Sequence, residues 1–144
     1  QIAALTTAQA AALTTRLSNM TTAQIAAIET TALVKMTTAQ IVALTTDQVT
    51  ALTVSQVENL TTAQIAAIET ADLVKMTTAQ IAGLTSVQIS ALTTDQVIKL
   101  TTDQIVALSS AQIPAFTTDQ LVTLTTAQIR AIESLDLQQL STAQ

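Results

Sequence analysis

The chain has 144 residues and a net charge of −5, and it contains no His, Cys, Trp or Tyr. Without imidazole or thiol groups it lacks the commonest general base and the cysteine nucleophile, and it can form no disulfide. Its basic residues are too few and too dispersed to neutralise a phosphate backbone, so no nucleic-acid binding is expected. These residues are Arg16, Lys35, Lys75, Lys99 and Arg130.

An eight-residue repeat with the consensus L-T-T-(A/D)-Q-I-x-A runs through the sequence. The first two copies, 5–12 and 13–19, are irregular, and the register is constant from residue 20 onward. Segments 21–60 and 61–100 align with each other, which indicates a duplication. No linker interrupts the repeats, so residues 1–144 are predicted to form a single tandem-repeat domain. The first position of the repeat is occupied by Leu5, Leu13, Met20, Ile28, Met36, Leu44, Leu52, Leu60, Ile68, Met76, Leu84, Leu92, Leu100, Leu108, Phe116, Leu124, Ile132 and Leu140.

One type of repeat carries Glu at its second position. It occurs at 28–35 and 68–75, and in a degenerate form at 132–137. The charges that it introduces, Glu29 with Lys35 and Glu69 with Lys75, are interpreted as solvated pairs that contribute little to stability.

The spacing Thr-x-x-Gln within each repeat is typical of a helix capping box. In 101–104, for example, the Thr101 hydroxyl is placed to accept from the backbone N–H of Gln104, and the Gln104 side chain can reach back to the N–H of Thr101. The Ala and Gln residues that follow favour helix. The sequence therefore predicts an all-α superhelical solenoid of very short capped helices, one per eight-residue repeat. Leu and Ile would lie inside, with Thr and the seventh positions outside.

Two other folds fit the repeat less well. A single long helix is excluded because eight residues at about 100° each make the apolar row drift by about 80° per repeat, which no supercoil absorbs. A β-solenoid is the remaining alternative, since the sixth position is mostly β-branched and Thr is abundant. Its corners, however, require turn residues, and the chain has only Gly83 and Pro114 of their kinds. Pro114 itself disfavours helix in its own repeat.

The conspicuous polar residues have structural interpretations. The Thr pairs are interpreted as caps and a solvated face, and the alternative is a hydroxyl lattice that orders water, as in ice binding. Val54 and Ser86 interrupt that lattice at the third position. The Gln side chains are interpreted as capping-box partners, with a stacked amide ladder as the alternative. They are Gln24, Gln40, Gln48, Gln56, Gln64, Gln80, Gln88, Gln96, Gln104, Gln112, Gln120 and Gln128.

Acidic residues recur at the fourth position, in the predicted first helical turn, where negative charge favours the helix dipole. They have neither the oxygen-ligand spacing nor the glycine of a calcium loop. The chain also lacks a G-x-S-x-G motif and a Gly-rich phosphate loop. We therefore predict no catalytic, cofactor-binding or metal-binding residue, no cofactor, and a protein that is not an enzyme. The acidic residues concerned are Asp47, Asp95, Asp103 and Asp119.

The repeat resembles two known kinds of sequence. The segment L-T-T-D-Q-V-I-K-L, from Leu92 to Leu100, is similar to the opening of the first helix of TAL-effector repeats, but it lacks their second helix and base-reading loop. The whole array resembles the L-T-T-x-Q tandem tracts of very large bacterial surface or secreted repeat proteins. That resemblance implies a structural or adhesive role, outside the cell or on its surface.

These observations lead to three hypotheses about function. The first is a non-enzymatic structural protein that forms a stalk, a fibre or a self-assembling extracellular filament, with copies of itself as head-to-tail or lateral partners. The second is an adhesin module that binds a surface protein or a glycan, and the third is an ice-binding solenoid. The chain begins at Gln1 and ends at Gln144, both in mid-repeat, so we expect a segment of a longer array. No apolar run is long enough to predict a membrane span.

Overall fold

The computed structural model describes residues 16–132 and 140–141, and within them it shows thirteen short α-helices, one 3₁₀ helix and no β-strand. The predicted all-α fold is thus confirmed, and the β-solenoid alternative is wrong for this part of the chain. The helices are α1 (Thr22–Ala26), α2 (Thr30–Leu33), α3 (Thr38–Val42), α4 (Thr46–Ala51), α5 (Val54–Asn59), α6 (Thr62–Ala67), α7 (Thr70–Leu73), α8 (Thr78–Ala82), α9 (Ser86–Ala91), α10 (Thr94–Lys99), α11 (Thr102–Val106), the 3₁₀ helix (Ile113–Ala115), α12 (Thr118–Leu121) and α13 (Thr126–Ala131).

The predicted capping box starts eleven of the thirteen α-helices. In α10 the backbone N–H of Gln96 donates to Thr93 Oγ1 over 3.1 Å, and the Gln96 Oε1 accepts from the Thr93 N–H over 2.8 Å. The exceptions are α2 and α7, whose N-cap residues Glu29 and Glu69 make no side-chain capping bond. Both N–H groups of the box would otherwise be left unpaired at the helix start, so the motif defines where each helix begins.

The same capping residue ends the preceding helix. Each N-cap Thr is extended, as Thr93 is with φ −71° and ψ 157°, so the helix cannot continue through it. No residue in the described ranges has a positive φ, Gly83 included. The corners are therefore made of ordinary extended residues, which explains why the chain turns after every repeat without a glycine at each turn.

Helices that contact one another lie three repeats apart in the sequence. The chain thus completes one winding in 24 residues, as from Thr22 in α1 to Thr46 in α4. Each winding contains three short helices, and helices in equivalent places of successive windings stack, so three stacks run along the solenoid. Face A consists of α1, α4, α7, α10 and α12, face B of α2, α5, α8, α11 and α13, and face C of α3, α6, α9 and the 3₁₀ helix.

The core runs along the axis between the three faces. It is built from the first and sixth positions of the repeats, as predicted, and both residues of the pair Ile65 and Ile68 are at least 96% buried. Each buried Leu or Ile contributes about 1.5–3 kcal/mol, so one repeat cannot offset its own ordering and the stability comes from stacked windings. The sixth-position core residues are Ile25, Leu33, Ile41, Val49, Val57, Ile65, Leu73, Ile81, Ile89, Val97, Ile105 and Ile113.

The repeat 108–115 departs from the predicted capped α-helix. Gln112 Oε1 still accepts from the Ser109 N–H over 2.7 Å, but the Gln112 N–H donates to the Ser109 carbonyl rather than to its hydroxyl. Pro114, which has no N–H of its own, lies in the 3₁₀ helix Ile113–Ala115 that replaces the α-helix. The expectation of one capped α-helix in every repeat is therefore wrong here.

Candidate functional site

The side-chain amide of Gln96 joins two windings of the solenoid. Its Nε2 donates to the carbonyl oxygens of Ile65 and Ile68 over 2.9 and 2.7 Å, while its Oε1 is held by the capping box of its own helix. The residue is 2% exposed. Both amide hydrogens and the amide oxygen are thus used in a site that water hardly reaches, which is the condition for burying an amide without a large cost.

The same contact recurs in ten repeats. In each, Nε2 donates to backbone carbonyls 28 and 31 residues earlier in the chain, at the corner where the winding below passes from one helix to the next. We call these residues the interwinding glutamines. They are Gln48, Gln56, Gln64, Gln80, Gln88, Gln96, Gln104, Gln112, Gln120 and Gln128.

The interwinding contact satisfies carbonyl groups that short helices leave unpaired. A helix of five or six residues has few internal bonds, and the carbonyls at its C-terminal end need external donors. At the end of α1 the Gln56 amide supplies the only donor to the Ile28 carbonyl and a second one to the Ile25 carbonyl, which also accepts from the Ile28 N–H. The interpretation of the fifth-position Gln side chains as capping-box partners is confirmed, but capping uses only their amide oxygen. The amide ladder is wrong for these ten residues, because their Nε2 atoms donate to backbone oxygens and not to other glutamines.

Three residues at the fifth position of the described repeats make no such contact: Gln24, Ala32 and Asp72. Gln24 forms its capping box with Thr21 but is exposed and makes no bond to another winding. At the fifth position of 68–75 the chain has Asp72 instead of Gln, and its carboxylate accepts from the hydroxyl of Thr46 in the neighbouring helix of face A. Asp72 is therefore the natural comparison for the ten complete positions, because the positions 28 and 31 residues before Gln24 lie ahead of Gln1.

The outer surface carries the remaining polar residues. The capping Thr residues are exposed, as predicted, and each Oγ1 already accepts one backbone hydrogen bond. Glu29, Lys35, Glu69 and Lys75 are exposed. Four acidic residues lie in the first turns of their helices, also as predicted: Asp47, Asp95, Asp103 and Asp119.

Charge is distributed unequally over the three faces. The repeats of face C, 36–43, 60–67, 84–91 and 108–115, contain no charged residue. Faces A and B carry all the charges of the stacked helices. On face A these are Asp47, Glu69, Asp72, Lys75, Asp95, Lys99 and Asp119, and on face B they are Glu29, Lys35, Glu58, Asp103 and Arg130.

Within residues 16–132 and 140–141, no group of three or more His, Cys, Asp or Glu side chains is placed to hold a metal ion. Among the same residues, no helix is long and apolar enough to cross a membrane.

An open stack of near-identical windings, each bonded to the next by the same side chain, defines a helical repeat solenoid and a repeat-containing structural protein. A family model described as the ALTTAQ repeat matches residues 17–54, 25–62, 65–102 and 97–131, and the chain belongs to the ALTTAQ repeat family. The resemblance to an L-T-T-x-Q tandem repeat is thereby confirmed, and no catalytic family is indicated. No curated protein matches the chain. No solved structure matches it either.

Proposed function

We propose that the chain is a spacer, a rod-like segment that sets a distance as part of a stalk or fibre. The observation that supports this is the set of interwinding glutamines. They join successive windings by the same backbone contacts, whatever the outward residues are. Such an array extends by adding windings and needs no special residue at any point along its length. Following the resemblance to surface and secreted repeat tracts, we propose that it works outside the cell or on its surface.

The proposal gives a length for each winding. Packed helices lie about 8–10 Å apart, so each 24-residue winding adds about that distance to the rod. A flexible chain would instead lengthen with the square root of its residue number.

Small-angle X-ray scattering on variants that carry one, two or three additional copies of the 24-residue segment 77–100 tests this difference. We expect the maximum dimension to rise by an equal increment of about 8–10 Å per added winding, with a constant cross-section. A radius of gyration that grows as the square root of length, or a cross-section that widens, would refute the rod.

Face C supports a second element of the proposal, which is lateral association of copies into a fibre. With a net charge of −5, copies of the chain repel one another, and the repulsion is weakest where a face carries no charge. Over the four repeats given above, face C is the uncharged face. We propose that a second copy of the chain packs there.

A pair of matched variants tests lateral association. Ala63 on face C and Ala79 on face B are both exposed and lie in the same local sequence, T-T-A-Q-I-A. An Asp at this position suits a helix start, so neither Ala63→Asp nor Ala79→Asp should harm the fold. We expect A63D to shift sedimentation-velocity profiles toward monomer and A79D to leave the association unchanged. Equal effects of the two variants would contradict a face-specific contact.

A further inference from the structure

Asp72 interrupts the interwinding glutamines at one point of face A. It occupies the fifth position of its repeat, where ten other repeats have a buried Gln, and it is 6% exposed. Its only side-chain hydrogen bond is the one that its Oδ1 accepts from the Thr46 hydroxyl. A carboxylate with a single donor and no basic partner keeps most of its acceptor capacity for a further group.

The substitution also leaves a backbone oxygen without a donor. By the register of the other repeats, the carbonyls that a Gln at position 72 would bind belong to Ile41 and Leu44. Leu44 is 4% exposed and its carbonyl oxygen accepts no hydrogen bond, whereas the equivalent oxygens of Leu52 and Leu60 each accept from a glutamine.

The hydrogen bond to Thr46 places the carboxylate at this same corner, because Thr46 is two residues from Leu44 in the chain. The register of the other repeats thus assigns four oxygen-bearing groups to this corner: the carboxylate, the Thr46 hydroxyl, the free Leu44 carbonyl and the Ile41 carbonyl, which already accepts from the Leu44 N–H over 3.1 Å. Asp is one methylene shorter than Gln and brings no amide nitrogen, so it supplies no donor to the Leu44 carbonyl oxygen. No side-chain nitrogen or oxygen in the described residues is both fully buried and unbonded, so the second Asp72 oxygen keeps access to solvent.

We propose that this corner binds a hard cation, Na⁺ or Ca²⁺, in the position that Gln Nε2 occupies in the other windings. Carboxylate, hydroxyl and backbone carbonyl oxygens are the ligands that such ions take, and the solvent-accessible side of Asp72 admits both the ion and its remaining waters. With a single carboxylate the site binds weakly and would be filled at the millimolar concentrations found outside cells. The ion replaces the missing amide and reconnects α7 to the winding below it.

The test is the thermal stability of the full chain at constant ionic strength, in N-methylglucamine chloride, in NaCl, and with added CaCl₂. We expect the Tm of the unaltered protein to rise by several degrees, saturably, in the NaCl or the CaCl₂ series, and the series that saturates identifies the ion. Asp72→Asn should abolish the saturable rise. Asp95→Asn is the matched control, since it removes the same charge from an exposed site of face A and should retain the rise.

A second variant protects the test from a folding defect. Asp72→Gln restores the residue of ten other repeats, so it should fold, show no saturable response to either ion, and have a Tm above that of the unaltered protein in N-methylglucamine chloride. The proposal is overturned if the unaltered protein responds to neither ion. It is equally overturned if D72N and D72Q respond as the unaltered protein does, because the effect would then be general screening of negative charge or a bound water.

Discussion

The substitution Gln96→Glu separates the two roles of an interwinding glutamine. A Glu side chain keeps the oxygen that accepts from the Thr93 N–H, so the capping box survives. It loses both hydrogens that Nε2 donates to Ile65 and Ile68, and places a carboxylate oxygen against those two carbonyls. Only the contact between windings is broken.

The stability lost in Q96E depends on which hydrogen bonds the Ile65 and Ile68 carbonyls still accept. The Ile65 carbonyl keeps a bond from the Ile68 N–H over 3.2 Å, but the Ile68 carbonyl loses its donor. One unsatisfied buried carbonyl costs about 1–3 kcal/mol, and an unpaired carboxylate at a site that is 2% exposed adds at least a similar amount. We therefore expect Q96E to lower the free energy of unfolding by about 3–5 kcal/mol at pH 7.

Urea unfolding followed by circular dichroism at the helical band measures this loss. The control is Gln24→Glu, which alters the same capping box at an exposed position with no contact to another winding. Because Glu is itself a capping-box residue, Q24E should change stability by less than about 0.5 kcal/mol. The same midpoint for both variants would show that the bonds between windings add nothing to stability.

Three further predictions concern individual residues. Gly83→Ala should destabilise the chain by about 1 kcal/mol, because the new Cβ would lie 2.4 Å from Val54 Cγ1; urea midpoints should show the loss cancelled when Val54→Ala is added. Pro114→Ala should convert the 3₁₀ helix into a capped α-helix, giving stronger helical dichroism and a gain of about 1–2 kcal/mol, and an unchanged spectrum would contradict it. In Q96E the two opposed carbonyls raise the pKa of the introduced carboxyl in the folded state above its value in the unfolded chain. The stability lost relative to the unaltered protein should therefore shrink as the pH falls from 7 to 4. A loss of stability that grows on acidification would contradict this.

The local structure was predictable because its determinants lie within one repeat. Thr93 and Gln96 are three residues apart, and this spacing alone predicts the capping box, the helix start and the break before it. The buried first and sixth positions follow from the same helix register. Pro114 is unfavourable for helix on sequence grounds alone, but the 3₁₀ helix that forms there depends on how much of one short turn survives.

The contacts between windings were not predictable in the same way. Gln96 and Ile68 are 28 residues apart, and their meeting depends on the corner angle that closes a winding after three repeats. Since every repeat has nearly the same residues at its corner, no residue marks the end of a winding. Gly83 had no explanation in the sequence either, and it gains one only when the winding places Val54 beside it.

Because one winding contains three repeats, a residue's position within its repeat decides whether it is buried but not which face of the solenoid it lies on. Segments 21–60 and 61–100 are copies offset by five repeats, which is one winding and two thirds, so equivalent residues point in different directions. Asp47 on face A corresponds to Val87 on face C, and Glu58 on face B to Ile98 on face A. Gain or loss of one repeat would leave every interior contact type intact while turning all later residues by a third of a revolution. Evolution can therefore rewrite the exterior of such a rod by changes in copy number alone.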